Sequence, residues 1–193
     1  MNRNKFLRNS AAGIGAVSLT ALLSSCTENS TSDVAASGSA TVESKMVSTL
    51  QPSIVKSKEG KVLNVIGDNQ NIKLAGKDTG GQFTLIEQFN DPGIGIPPHV
   101  HENEDEVFQV LEGTVEMSIG SELTTLNAGD LIFCPKGVPH SWKVVGDQKA
   151  KAMLSIFPSG IEHMFEELSQ LPPGPPDFEK VAGICGEYGV RFV

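Results

Sequence analysis

Histidines in two short segments are the residues of this sequence best suited to chemistry. His99 and His101 lie two residues apart, so on a β-strand both side chains project to the same face. Glu106 follows at the start of an alternating apolar and polar stretch, and His140 follows a turn rich in glycine and proline. Neutral imidazoles together with a carboxylate suit iron, manganese, cobalt, nickel, copper or zinc. The two segments therefore indicate a site for a divalent transition metal.

The other reactive side chains have simpler interpretations. His163 falls on the polar face of a predicted helix, so we expect it at the surface. Cys134 and Cys185 form no CxxC pair, and Cys185 fits a small buried hydrophobic residue. Cys134 is not assigned a catalytic role, because a reactive thiol requires a lowered pKa. The acidic run at 102–105 is interpreted as a solvated turn.

Short β-rich runs between residues 58 and 158 must position the histidines. They are separated by Gly, Asp, Asn and Pro, several alternate apolar with polar residues, and their spacing is typical of an all-β sandwich or barrel. No helical period is sustained before residue 160. The predicted strands are KVLNVIG, IKLAG, FTLIEQF, EVFQVLEG, TVEMSIG, LIFCP, SWKVVG and AMLSIF.

A C-terminal extension, residues 159–193, shows a different pattern. Residues 161–171 place apolar side chains at helical spacing, and a proline-rich break follows. Asp177 is a predicted N-cap for a second helix, in which Phe178 and Cys185 share one face, and Gly189 lies where a helix would end. The extension is therefore predicted to be helical.

The composition favours a globular domain and argues against nucleic acid as a partner. Hydrophobic residues make up 39% of the chain and charged residues 20%, which allows a packed core without disulfides. The net charge is -8, and no basic cluster is present in the body of the chain.

The first part of the chain predicts export. Residues 1–25 combine a positively charged start with a short apolar stretch and small residues before Cys26, as in a signal peptide of the lipoprotein type. Residues 26–57 are rich in Ser, Thr and Ala, and we expect them to form a flexible tether. Cys26 is therefore the predicted lipidation site, which would anchor an exported protein to the membrane of a bacterial cell envelope, facing the periplasm or the surface.

The two histidine segments resemble the paired motifs of the cupin superfamily. The first matches G-x5-H-x-H-x4-E-x6-G from Gly93 to Gly113, and the second matches G-x5-P-x-G-x2-H from Gly129 to His140. The resemblance implies a single antiparallel β-barrel of jelly-roll type over residues 58–158, with the metal inside. Carried over by position, it implies one ion per chain, bound by the ligands His99, His101, Glu106 and His140.

The C-terminal FEEL and EYGVRF segments are similar to those of small bacterial cupins described as quercetin-dioxygenase-like. This likeness implies a metal-dependent dioxygenase acting on a small flavonol- or enol-like molecule. Glu106 is the candidate catalytic base, a role that requires the pocket to raise its pKa. A non-catalytic lipoprotein that binds metal and a small ligand, and a metal-dependent isomerase or lyase, fit the same residues. The sequence leaves a homodimer open.

Overall fold

The computed structural model describes residues 50–193. The predicted signal peptide, Cys26 and most of the predicted tether lie outside these residues, so their predicted roles are not addressed by it. None of the helices within residues 50–193 is long and apolar enough to span a membrane.

The described residues form two antiparallel sheets that face each other. The six-stranded sheet has the order β1-β2-β3-β10-β5-β8, and the five-stranded sheet has the order β11-β4-β9-β6-β7. This architecture confirms the predicted all-β jelly roll with a short helical extension. The strands are β1 Lys61–Val65, β2 Asp68–Leu74, β3 Thr84–Asn90, β4 Gly95–His101, β5 Asp105–Glu112, β6 Thr114–Ile119, β7 Glu122–Asn127, β8 Leu131–Cys134, β9 His140–Val145, β10 Ala150–Phe157 and β11 Val190–Phe192.

Strict alternation along the central strands places one face of each in the core. On β5, Glu106, Phe108 and Val110 are buried, while the residues between them are partly exposed. β10 and β3 show the same alternation, so their inward residues form continuous rows with those of β5. Because successive strand side chains point to opposite faces, the inner surface of the sheet is fixed by every second residue.

Three strands were not predicted from the sequence. β4 contains Pro97 and Pro98, which donate no backbone hydrogen bond, and its pairing with β9 shifts register between Ile96 and His99. β7 lies at a sheet edge and is mostly exposed, so it lacks an apolar alternation. β11 has three residues, too few to form a pattern.

Two of the three helices within the described residues form the C-terminal extension. α1 is a single turn, Gly76–Thr79, whereas α2 spans Glu162–Leu168 and α3 spans Phe178–Glu187. Asp177 caps α3 as predicted, since its side chain accepts hydrogen bonds from two backbone N–H groups of the first turn. Gly189 follows with φ of 76°, a conformation that suits glycine, and turns the chain into β11. β11 then pairs with β4.

Candidate metal centre

Both sheets contribute to the cluster of candidate ligands. His99 and His101 lie on β4, His140 begins the neighbouring strand β9, and Glu106 lies on β5 of the opposite sheet. His99 is directly paired with His140, which brings the two predicted motifs together. All four side chains are buried, and one ligand atom from each lies within 4.8 Å of those from the others.

Each of the three imidazoles is oriented by a hydrogen bond at its Nδ1 atom. The acceptors are the Pro97 carbonyl oxygen at 2.9 Å for His99, the Val138 carbonyl oxygen at 3.1 Å for His140, and a Glu104 carboxylate oxygen at 3.3 Å for His101. A carbonyl or an ionised carboxylate can only accept, so the proton of each neutral ring lies on Nδ1. The lone pair of each neutral ring is therefore on Nε2, as metal ligation requires.

Glu106 meets two of these Nε2 atoms. Its Oε2 lies 3.0 Å from His140 Nε2, and its Oε1 lies 3.7 Å from His101 Nε2. With Nδ1–H donated to a carbonyl, a neutral His140 presents only a lone pair to the carboxylate, and two acceptors at this distance repel. Either a proton or a cation must sit between them. A divalent ion satisfies all three imidazoles and the carboxylate together, so this set of residues fits a transition metal.

Burial and mutual charge shift the pKa values of this cluster. Burial, reinforced by the charge of His140, lowers the pKa of His99 to about 4. Burial alone would lower the pKa of His140, but the contact with Glu106 outweighs it and raises that pKa. For Glu106, burial favours the neutral form, yet His140 and the other histidines lower the pKa overall. The contacts with the histidines therefore favour the ionised form of Glu106.

Comparison with known proteins identifies the family. A family model described as a cupin domain matches residues 88–157. Quercetin 2,3-dioxygenase of Bacillus subtilis is 30% identical over 114 residues, which are 59% of this chain and 33% of that enzyme. An uncharacterized protein of Aquifex aeolicus is 30% identical over 104 residues, 54% of this chain and 77% of that protein. The chain belongs to the cupin superfamily.

Solved structures show the same cupin fold. KdgF from a Halomonas species is aligned over 58% of this chain and 99% of its own, with a TM-score of 0.51 and 20% identity. A predicted oxalate decarboxylase from Thermotoga maritima is aligned over 55% of this chain and 99% of its own, with a TM-score of 0.51 and 21% identity. At these identities the likeness concerns the fold. The part of this chain that matches the Bacillus enzyme spans only about a third of that enzyme's length, the 33% given above.

The prediction of a solvated turn at 102–105 is wrong for Glu104. Glu104 is buried at 6% exposure and accepts the hydrogen bond from His101 Nδ1. Asp105 is also engaged, because its carboxylate accepts the backbone N–H of Lys136, in the second motif. The available signal was the position of Glu104 three residues after a ligand histidine, where a tight turn can fold a carboxylate back onto the ring.

A cavity of about 520 Å³ lies between the sheets, and all four candidate ligands border it. Phe108 and Trp142 lie on its wall with ring centroids 5.7 Å apart. Apolar side chains of α2, α3 and β11 close another side, and Phe178 stands at this lining with 74% of its surface exposed. The cavity is thus mainly apolar, with the histidines and Glu106 on one part of its surface.

Four polar residues, which we call the glutamine cluster, were missed by sequence reasoning: Asp68, Gln70, Gln88 and Asn90. All are buried, and Asp68, Gln70 and Gln88 line the cavity. Asp68 accepts hydrogen bonds from both glutamines at 2.8 Å and from Asn90 at 2.6 Å. Burial raises the pKa of Asp68 against the effect of these bonds. Because the segment DNQN has the composition of a turn, it was not predicted to be the start of β2.

The remaining reactive residues are not part of the candidate ligand set. His163 is exposed on α2, with 67% of its side chain accessible. Cys134 is buried, and burial together with the charge of Glu106 raises the pKa of its thiol to about 12. A thiol held neutral in this way is a poor nucleophile. Cys185 is buried on α3, as expected for a small apolar residue.

Proposed function

We propose that this cupin is a metal-dependent dioxygenase acting on a small, mainly apolar molecule with an enol or flavonol-like hydroxyl. The observation that carries the proposal is the position of three Nε2 atoms and one carboxylate on the surface of an apolar cavity. A cavity of about 520 Å³ has the size of a typical small-molecule site. Similarity to the Bacillus quercetin 2,3-dioxygenase supports the reaction class.

His99, His101, Glu106 and His140 would hold the ion, which could be iron, manganese, nickel, cobalt, copper or zinc. A divalent ion bound there would supply acidity to a coordinated enol hydroxyl and redox chemistry toward dioxygen. Glu106 is the carboxylate of this set, so its oxygen atoms are the acceptors available for the hydroxyl proton. Its histidine neighbours lower its pKa, so we infer that Glu106 is ionised and can both hold the ion and accept that proton.

Apolar walls would serve the same chemistry. Phe108, Trp142 and Leu154 border the cavity beside the candidate ligands and would keep bulk water from a reactive substrate. The C-terminal extension contributes Met164, Phe165 and Leu168 to the same lining. These side chains offer shape and apolar surface but no charge, and the indole N–H of Trp142 is the one polar group among them, so the polar contacts of the substrate would come mainly from the metal centre.

The test is oxygen uptake by the full chain loaded in turn with each of the six ions and offered flavonols and simpler enols. Glu106→Gln nearly preserves the shape of the side chain but removes its charge. We expect this variant to remain folded and to lose uptake by about a hundredfold or more, the usual scale of acid–base and charge effects. Glu112→Gln, on the exposed end of the same strand, is the matched control.

If the protein binds flavonols or enols but consumes no oxygen with any of the six ions, the dioxygenase proposal is wrong. The protein would then be a binding cupin, the non-catalytic alternative that the sequence left open. Turnover of an enol with no oxygen consumed would instead indicate an isomerase or lyase that uses the ion as a Lewis acid.

We further propose that the chain is an exported lipoprotein anchored through Cys26. The support is the order of a basic start, an apolar stretch, small residues, a cysteine and a polar segment. Cells grown with a labelled fatty acid should label the wild type, and Cys26→Ser should abolish the label. An unlabelled wild-type protein would overturn the proposal.

A further inference from the structure

Trp142 is the one tryptophan of the sequence, and β9 points its side chain into the cavity. The alternation of β9 buries His140, Trp142 and Val144, whereas the residues between them are partly or fully exposed. Because successive side chains of a strand point to opposite faces, Trp142 shares the inner face with the candidate ligand His140. It borders the cavity with 7% of its surface accessible.

The indole N–H of Trp142 meets no hydrogen-bond acceptor among the described residues. Within residues 50–193, the side-chain polar atoms that are both unpaired and fully enclosed are oxygens of Gln70, Asn71 and Gln88, and Trp142 Nε1 is not one of them. The indole nitrogen therefore keeps accessible surface, which faces the cavity because the side chain lies on the inner face of β9. This is unusual, since the N–H of a buried tryptophan normally finds a partner.

The neighbours of Trp142 explain why its donor is unpaired. Strand pairing places it beside Ile96 and Met117, and its ring packs against Phe108 of the opposite sheet. All three neighbours border the same cavity. Two of them have no polar side-chain atom, and the methionine thioether is only a weak acceptor. A strong acceptor for the indole must therefore come from a molecule inside the cavity.

Trp142 lies one inward row from the candidate metal centre. His140 and Glu106 meet across the two sheets at 3.0 Å, and Trp142 and Phe108 meet in the next row with ring centroids 5.7 Å apart. At about 3.4 Å per residue, the two rows are roughly 7 Å apart along the strands. A molecule of one or two rings is long enough to contact both rows.

The lining of the cavity favours a neutral acceptor. Within residues 50–193, no lysine or arginine borders it. An anionic group beside Trp142 would leave water without gaining a charged side chain as a partner, which is costly. A carbonyl oxygen accepts a hydrogen bond without carrying a charge, so it suits a single N–H donor in apolar surroundings.

We propose that Trp142 determines specificity by donating a hydrogen bond from its indole N–H to a carbonyl oxygen of the molecule in the cavity. The assignment of that molecule as a substrate rests on the proposed function, and it narrows the substrate class to enols that also carry a carbonyl group. The hydroxyl would reach the metal centre while the carbonyl meets Trp142 in the next row. A hydrocarbon of the same shape would leave the donor unpaired.

The experiment compares acetophenone with ethylbenzene, which has a methylene group in place of the carbonyl. Both are added to the full chain without metal and again with zinc, which has no redox chemistry. Because the sequence has one tryptophan, NMR spectra contain a single indole N–H signal. We expect its proton to resonate further downfield with acetophenone than with ethylbenzene, since only the carbonyl oxygen accepts a hydrogen bond.

Trp142→Phe keeps an aromatic ring in the cavity wall and removes the N–H. In this variant the affinity for acetophenone relative to ethylbenzene should fall by about threefold to tenfold, the effect of losing one hydrogen bond. Phe108→Leu is the matched control, because it alters the facing wall without removing a donor and should change both affinities alike. Calorimetric titration measures the affinities, and thermal unfolding checks that both variants fold.

An indole signal at the same position with both probes would overturn the proposal. An equal relative affinity in the wild type and Trp142→Phe would overturn it too, as would failure of acetophenone to bind up to its solubility. Since no oxygen is consumed in these measurements, their failure would leave the dioxygenase proposal standing. A protein that binds acetophenone through Trp142 but consumes no oxygen with any enol would keep this inference and lose the dioxygenase proposal.

Discussion

Glu106 and Glu162 are both buried carboxylates, but the protein surrounds them differently. Glu162 receives hydrogen bonds from Gly76 N at 2.7 Å, Thr84 Oγ1 at 2.5 Å and Gly160 N at 2.7 Å. These groups satisfy its charge and join α2 to α1 and β3. Glu106 instead faces imidazole nitrogens whose lone pairs point toward it. Donors of the polypeptide satisfy Glu162, whereas Glu106 needs a proton or a cation between its carboxylate and the imidazole nitrogens.

This comparison distinguishes a structural charge from a functional one. Both glutamates have lowered pKa values despite burial, for Glu106 through histidine and for Glu162 through its hydrogen-bond donors. A shifted pKa alone would therefore not separate them. The number and type of partners does, because a carboxylate saturated by N–H and O–H donors has no free position for a ligand.

The largest expected effect is on metal affinity. His101→Ala should weaken binding of nickel or cobalt by about a hundredfold or more, since a binding free energy of about 10 to 16 kcal/mol is shared among four ligands. His163→Ala, at the exposed histidine, should leave affinity unchanged. Metal titration measures both, and circular dichroism should show the β-sheet signal intact in each. Equal losses in the two variants would contradict the ligand assignment.

Removal of Glu162 should act on stability and leave metal affinity unchanged. Glu162→Ala removes a charged acceptor and leaves three donors unpaired, which should cost about 3 kcal/mol in the free energy of unfolding. Glu166→Ala, on the same helix and paired with Lys61 at the surface, should cost less than about 1 kcal/mol. Denaturant unfolding measures both. If Glu162→Ala lost metal binding but kept its stability, the structural role assigned to Glu162 would be wrong.

The contribution of Glu162 should depend on pH in a defined direction. Its folded pKa lies below the ordinary value of 4.5, so its stabilising effect is present above 4.5 and disappears as pH falls through the lower native pKa. The difference in unfolding free energy between the wild type and Glu162→Gln should therefore shrink in acid. A difference that is constant from neutral pH to pH values well below 4.5 would show that the charge contributes nothing.

A smaller effect is expected at Glu104, which orients His101 without bordering the cavity. Glu104→Ala should lower metal affinity by about 10- to 100-fold, the usual effect of losing a hydrogen bond to a ligand histidine. Glu102→Ala, in the same turn but exposed and paired with Arg191, is the control. Nickel titration of the two variants decides whether the buried carboxylate acts on the centre.

The fold could be predicted from local patterns, and the cluster of His99, His101, Glu106 and His140 from the resemblance of the two motifs to those of the cupin superfamily. Alternation on strands such as β5 and β10 marks the inward face, and the offsets of the two motifs specify four positions. Long-range contacts were not predictable in this way. The pairing of β11 with β4, the cavity wall formed by the C-terminal extension, and the hydrogen bonds of the glutamine cluster join residues far apart in sequence. The homodimer and the lipid anchor at Cys26 stay predictions.

A crystal structure of the nickel-loaded protein, with anomalous scattering measured at the nickel edge, tests the central claim most directly. We expect one anomalous peak per chain, coordinated by Nε2 of His99, His101 and His140 and by a carboxylate oxygen of Glu106, with each Nδ1 still bonded to its present acceptor. A peak bound through Nδ1 atoms, a peak elsewhere, or no peak in a crystal grown with excess nickel would contradict it.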